Sequence, residues 1–323
     1  MGSDALFLEV VNPMKLSMNV LLISALLITA PAFGQVDISG VWAYLRGQYG
    51  QENAQGSELA DYTGIPINEE GRAVGLSFTA AEWSQPDRQC QYYSPRYIST
   101  GPFSLNIWSE TDPVTGKVLS WNMGPWIDKD IVTIWMDGRP HPSENAFHPF
   151  GGFTTGTWEG DTLVTRTTHI KWSYLRINGL QHSDKATMTE YIVRHGNLLS
   201  IMVYFEDPIY LTEPFVLTSV WELNPRTSAL RVSPACEPIN ESPRLEDTTT
   251  VPHYLPGKNP FAETFAKYYN LPLEAAQGGA ETMYPEFRKK LKNYVPPAKC
   301  TRYCCDTTDP AVKCIRDGSG QVR

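Results

Sequence analysis

The sequence predicts a mainly β protein, an antiparallel up-and-down β-barrel with a small helical, disulfide-knotted C-terminal appendage. Three observations carry that prediction. Apolar and polar residues alternate at period two through the middle of the chain, glycine-bearing turns separate successive strand-like runs, and the composition turns helical and cysteine-rich after about residue 255.

Seven segments have strand character, rich in β-branched and aromatic residues: 39–45, 130–136, 153–158, 162–169, 186–194, 197–206 and 215–223. In 197–206, Leu199, Ile201, Val203 and Phe205 share one face, and Ser200 and Glu206 take the other. Gly160 and Gly196 sit between strand-like runs, where tight hairpins require positive φ. Hairpins in sequence order imply a meander, which closes into a barrel and so removes its edges. The segment 46–102, rich in Gly, Pro, Ser and Gln, breaks the pattern and reads as a long loop, a candidate lid. Helical patterns follow at 261–269 and 281–294, bounded by Pro272 and by Pro296-Pro297. The expected organisation is therefore a barrel domain over 35–250 and a helical extension over 255–323.

With 323 residues, 41% of them hydrophobic, the chain can bury a sizeable core. Its formal net charge of −8 argues against a nucleic-acid partner, because neutralising phosphates needs a basic face. The basic stretch Arg288, Lys289, Lys290 and Lys292 has the spacing of a solvated helix face. Residues 1–34 read as a secretory signal peptide: Lys15 follows a second start at Met14, an apolar run spans Val20–Ala30, and Ala32-Phe33-Gly34 precedes Gln35. The run is short for a spanning helix, which takes ~20 apolar residues, so no integral membrane segment is expected in the mature chain. The expected location is periplasmic or secreted.

Six cysteines follow the signal: Cys90, Cys236, Cys300, Cys304, Cys305 and Cys314. An even count in an oxidising compartment implies up to three disulfides. The reading is a long-range bridge, Cys90 to Cys236, with the other four forming a C-terminal knot. A zinc site built from those four is the rival, disfavoured by export.

Five of the six histidines, His141, His148, His169, His182 and His195, lie close together in sequence. Strand ends converge on a barrel rim, so closeness in sequence can become closeness in space. In Asp137-Gly138-Arg139-Pro140-His141-Pro142, two prolines and a glycine make a rigid loop. It either presents Arg139 and His141 to a ligand carboxylate or is a turn in which Arg139 pairs with a carboxylate of the protein. The spacing of His141, Glu144 and His148 matches no helical ligand pattern, so no metal is expected, and no other cofactor. His182 and Asp184 share strand parity, which makes them an acid–base candidate pair; an Asx-type turn is the bland alternative. His169 lies on the face of Leu163, Thr165 and Thr167, either lining a cavity or facing outward. His195 falls in a solvated turn. Catalytic candidates are thus His182, Asp184, His141 and His169, and ligand-binding candidates Arg139, Trp135, Trp158 and Tyr191.

Gly40-Val41-Trp42 resembles the Gly-x-Trp of the first lipocalin strand. DGRPHP at 137–142, GTWEGDTLV at 156–164, HSD at 182–184 and EDP at 206–208 followed by Pro214 together resemble a largely uncharacterised family of exported bacterial proteins viewed as lipocalin-like or calycin-like. The resemblance covers roughly 36–240, includes Cys90 and Cys236, and leaves out the C-terminal tail. It implies the barrel more than any activity. With 37 aromatic residues and a barrel interior, the expected role is binding a small apolar or aromatic molecule; the alternative is a metal-free lyase, dehydratase or isomerase using His/Asp acid–base chemistry.

Overall fold

A computed structural model describes residues 36–47, 60–79, 82, 85–91, 93–100, 104–124, 131–176, 178–224, 254–255, 258 and 260–295. The signal region, Cys236 and the four tail cysteines lie outside these residues. The helical C-terminal segment belongs to the same unit as the barrel, Asp37–Arg323.

Nine strands close into a barrel. They are β1 (Gly40–Gly47), β2 (Leu105–Thr111), β3 (Val118–Gly124), β4 (Val132–Trp135), β5 (Phe153–Glu159), β6 (Thr162–Thr168), β9 (Thr187–His195), β10 (Leu198–Glu206) and β11 (Phe215–Leu223). Two short strands, β7 (Ser173–Tyr174) and β8 (Gln181–His182), pair with each other between β6 and β9. The barrel order is β1-β11-β10-β9-β6-β5-β4-β3-β2, closed by β2 on β1. Trp42 marks the seam: it stands opposite Leu223 on one side and Leu105 on the other, fully buried.

The expectation of a wholly antiparallel meander needs correction, because β4 and β5 pair in parallel, Ile134 opposite Thr154 and Trp135 opposite Thr155. Parallel neighbours require a crossover rather than a tight turn. The proline-bearing segment 136–152 supplies it without a helix. β2 and β3 were not foreseen either. Their burial patterns run in blocks rather than alternating, because polar residues on the outward face are covered. Asn122 accepts from Thr133 Oγ1 at 2.7 Å and donates to Glu110 at 3.3 Å. A strand buried on both faces loses the period-two signal.

Alternation does survive on β10 and β11. Leu199, Ile201, Val203 and Phe205 stand opposite Trp221, Ser219, Leu217 and Phe215, and all eight are buried. Burying each large apolar side chain contributes roughly 1.5–3 kcal/mol, so this pair of strands forms one wall of the core. The Gly160 and Gly196 hairpins both take φ +60°, as their turns require.

The segment expected as a lid instead holds three short helices: α1 (Glu69–Gly75), capped by Asn68; α2 (Pro86–Gln89); and α3 (Arg96–Thr100). α3 enters the barrel and packs on β10 and β11. Ser219 Oγ donates to the Ser99 carbonyl at 2.6 Å. The described part of this segment therefore acts as a plug rather than a cover.

The C-terminal helical patterns become α4 (Phe261–Tyr268), α5 (Leu273–Ala276), a 3₁₀ turn (Ala280–Met283) and α6 (Pro285–Lys290). Pro272 and Pro285 sit at helix starts and divide the long patterns into short pieces. Backbone bonds tie this segment down: Tyr62 N to Ala276 O at 3.0 Å, and Gly279 N to Ile65 O at 2.8 Å. Gly278 permits that approach, with φ +70° and room for no Cβ, which would lie 2.4 Å from the Tyr62 carbonyl oxygen.

Gly278→Ala should therefore lose both the left-handed backbone, about 1–2 kcal/mol, and the close approach, a further ~1–3 kcal/mol. Gly160→Ala also has positive φ, but its Cβ would meet nothing, so it should lose only the first part. Urea midpoints would show the difference; equal losses would refute the tight docking of the appendage.

Candidate functional site

The inner wall of β9 carries Met188, Glu190 and Ile192. Glu190 is 1% exposed. It accepts from Thr165 Oγ1 of β6 at 3.1 Å, and its other oxygen meets Ser99 Oγ of the α3 plug. Among the described residues no cation pairs with it. Burial pushes its carboxyl above the usual glutamate value, and the two hydroxyl bonds oppose this only in part. A protonated Glu190 has an O–H to donate, which the ionised form lacks.

Other polar groups line the inner surface. Trp221 Nε1 donates to Ser219 Oγ at 2.9 Å, which continues to Ser99. Thr154 and Thr167 join their hydroxyls at 2.8 Å. Trp121, opposite inward Ile134, and Trp158, opposite inward Leu163, each bury an indole N–H that meets no acceptor among the described residues. A buried donor left unbonded costs about 1–3 kcal/mol unless a ligand or water meets it.

His182 lies at the Phe205 end of the same interior, 0% exposed, its ring edge-on to Phe205 at 5.2 Å. Burial drives its pKa down to about 4, with Arg96 pressing the same way and the Ser183 carbonyl and Asp207 opposing. Its Nδ1 faces the Ser183 carbonyl at 3.1 Å, so this nitrogen carries the hydrogen, and buried Nε2 has no partner among the described residues.

The expected pairing of His182 with Asp184 is corrected: Asp184 is exposed to solvent. The carboxylate serving this corner is Asp207. It accepts from Ser183 N at 2.6 Å, Ser183 Oγ at 2.7 Å and Ile209 N at 2.9 Å. The HSD and EDP segments thus meet, and Asp207 clamps the start of β9 to the end of β10.

The other candidates lie mostly on the outer wall. Trp135 takes the parity opposite to buried Ile134 and faces outward. The Arg139 guanidinium lies 3.6 Å from its ring centroid. Arg139 is also held by Asp137, Nε to Oδ1 at 2.9 Å and Nη2 to Oδ2 at 2.5 Å, and this bond draws the Asp137 carboxyl down to about 2. The guanidinium is engaged within its own loop, as in the turn reading of this segment rather than the ligand-presenting one. Tyr191 faces outward too, edge-on to Tyr204 at 5.7 Å. Of the four ligand-binding candidates only Trp158 points inward. His141 and His169 come together with each other and with His148 outside β5 and β6. His195 is exposed in its turn. Cys90, just after α2, is disulfide-bonded.

Glu190 was missed from the sequence although a signal existed: it breaks an otherwise apolar inward row, Met188-x-Glu190-x-Ile192. No family model matches the chain, and no curated protein matches it in sequence.

Asp207→Ala should destabilise by roughly 2–3 kcal/mol, since it strands the buried Ser183 donors. Asp184→Ala should stay within about 0.5 kcal/mol. Comparable losses in denaturant unfolding would overturn the assignment of the clamp to Asp207. The folded state holds the Glu190 proton more tightly than the unfolded chain, whose value is near 4.5. That contribution is full below the unfolded value and fades as pH rises through the raised folded one. Glu190→Gln cannot ionise, so its stability relative to wild type should improve as pH rises above about 5, read from urea midpoints. A gap constant with pH would show that Glu190 is not shifted.

Proposed function

We propose that this chain is an exported barrel protein that binds a small apolar or aromatic molecule, neutral and bearing a hydrogen-bond acceptor, in its interior beside Glu190. The observation carrying this reading is a carboxyl enclosed in an apolar wall, bonded only to hydroxyls and lacking a cation among the described residues. An anionic ligand would find no counter-charge there and would lose its hydration. A neutral acceptor would find the unbonded indole N–H groups of Trp121 and Trp158.

Export is supported by the signal-like residues 1–34, the even cysteine count and the disulfide at Cys90. The motif resemblance over 36–240 to exported bacterial barrel proteins points the same way. The lyase, dehydratase or isomerase alternative is weakened by the placement of its candidates: His141 and His169 lie on the outer wall, and Asp184 lies in solvent.

Two fluorescent probes that differ chiefly by a sulfonate test the reading on the full mature chain. Neutral N-phenyl-1-naphthylamine should bind saturably, quench tryptophan emission, and bind at least about tenfold more tightly than 1-anilinonaphthalene-8-sulfonate, a preference of ~1.4 kcal/mol. Native mass spectrometry of protein purified from an oxidising compartment should reveal a neutral apolar companion. No saturable binding of the neutral probe, or preference for the sulfonate, would refute the proposal.

A further inference from the structure

The outer-wall histidines form a continuous hydrogen-bonded row. Thr155 Oγ1 lies 2.8 Å from His141 Nε2, and His141 Nδ1 lies 2.7 Å from Thr168 Oγ1. Thr168 Oγ1 lies 2.7 Å from His169 Nδ1, and His169 Nε2 lies 2.8 Å from the Ser143 carbonyl oxygen.

The end of the row fixes the direction of every bond. A carbonyl only accepts, so His169 Nε2 carries a hydrogen. In neutral His169, Nδ1 is then a lone pair and must accept the one hydrogen of Thr168. With that hydrogen committed, His141 Nδ1 must donate to Thr168. His141 Nε2 is consequently a lone pair that accepts from Thr155. The two histidines are held in opposite tautomers, and only when both are neutral does every hydroxyl hydrogen of the row have an acceptor within it.

The row fastens the crossover 136–152 to the outside of β5 and β6. Pro140 and Pro142 stiffen the segment on either side of His141, whose ring packs edge-on to Phe153 at 5.2 Å. His169 adopts φ +57°, a left-handed backbone uncommon outside glycine, which aims its ring at the row. His148 stands 5.0 Å from His169 and bonds the Ile170 carbonyl through Nδ1 at 3.2 Å.

We propose that Thr155, His141, Thr168, His169 and the Ser143 carbonyl form a pH-sensitive clasp that holds the β4–β5 crossover closed at neutral pH and releases it on acidification. A proton on His169 Nδ1 would force Thr168 to accept from both imidazoles and strand its own hydrogen. A proton on His141 Nε2 would turn the Thr155 hydroxyl away.

The charges around the row give no compensation. β6 contributes Arg166, which disfavours a second positive charge at His141, as does His169. β5 faces it with Phe153 and Thr155, both uncharged. The crossover contributes His148, exposed Glu144, and Arg139 already paired with Asp137. Lys171 lies over Phe150. Among the described residues no carboxylate forms an ion pair with any of the three imidazoles. Burial, then Arg166, therefore hold His141 below the ordinary value of 6.5. A histidine so lowered supports the closed form fully above 6.5 and loses that support as pH falls below it.

Long-range proton–nitrogen spectra of the full chain test the direction of the row. His141 should be the Nδ1–H tautomer and His169 the Nε2–H tautomer; two alike, or the reverse, would overturn the proposal. Hydrogen exchange corrected for intrinsic pH effects should show protection of 137–150 falling severalfold from pH ~7.5 to pH ~5.5, up to the ceiling of about tenfold that one imidazole with an open-state value near 6.5 can give, with β9 and β10 unaffected. Thr168→Val should already lack that protection at the higher pH and respond little to acid. Loss of protection independent of pH, or a wild-type pH response in Thr168→Val, would refute the clasp. If that variant does not fold, the tautomer assignment in wild type still decides.

Discussion

Closure at β1 is the constraint on which the rest of the structure depends. This strand pairs with β11 on one side and β2 on the other, and the buried Trp42 is shared by both ladders. Without the seam the sheet would expose two unpaired edges. With it, every second residue of nine strands is committed to an enclosed interior, and a polar side chain there must find a partner within the protein or a bound molecule.

The interior meets that demand unevenly. Ser99, delivered by the α3 plug, is bonded through its hydroxyl to Glu190 and through its carbonyl to Ser219. One residue of an irregular segment thus joins β9, β11 and the plug. The indole nitrogens of Trp121 and Trp158 and Nε2 of His182 are left without such partners among the described residues. Buried polar groups carry a high cost unless satisfied, and this imbalance lies in the interior rather than on the histidine-rich outer wall.

The outer wall follows from a different feature, the parallel pairing of β4 and β5. An antiparallel neighbour would have been joined by a short turn. A parallel one sends 136–152 back along the outside of the sheet, where Thr155, Arg166 and Thr168 are the outward residues. The crossover thereby brings His141 to the hydroxyls of two strands and places Arg139 on Trp135. Three histidines close in sequence do become close in space, but outside the barrel.

The sequence by itself determined the β class, seven of the nine barrel strands, the Gly160 and Gly196 hairpins and the inward rows of β10 and β11. Each of these depends on local alternation or on turn chemistry, which a chain carries residue by residue. Residue chemistry also brought HSD to notice, and the motif resemblance EDP, though not their union through Ser183 and Asp207. Tertiary structure alone decided the parallel β4–β5 pair, the β2 and β3 strands whose outward polar residues are covered, the plug, the exposure of Asp184 and the enclosure of Glu190. The physical reason is the same in each case: which face of a strand is buried, and what a side chain meets there, depends on segments distant in sequence, and period two specifies parity without specifying which side is inside.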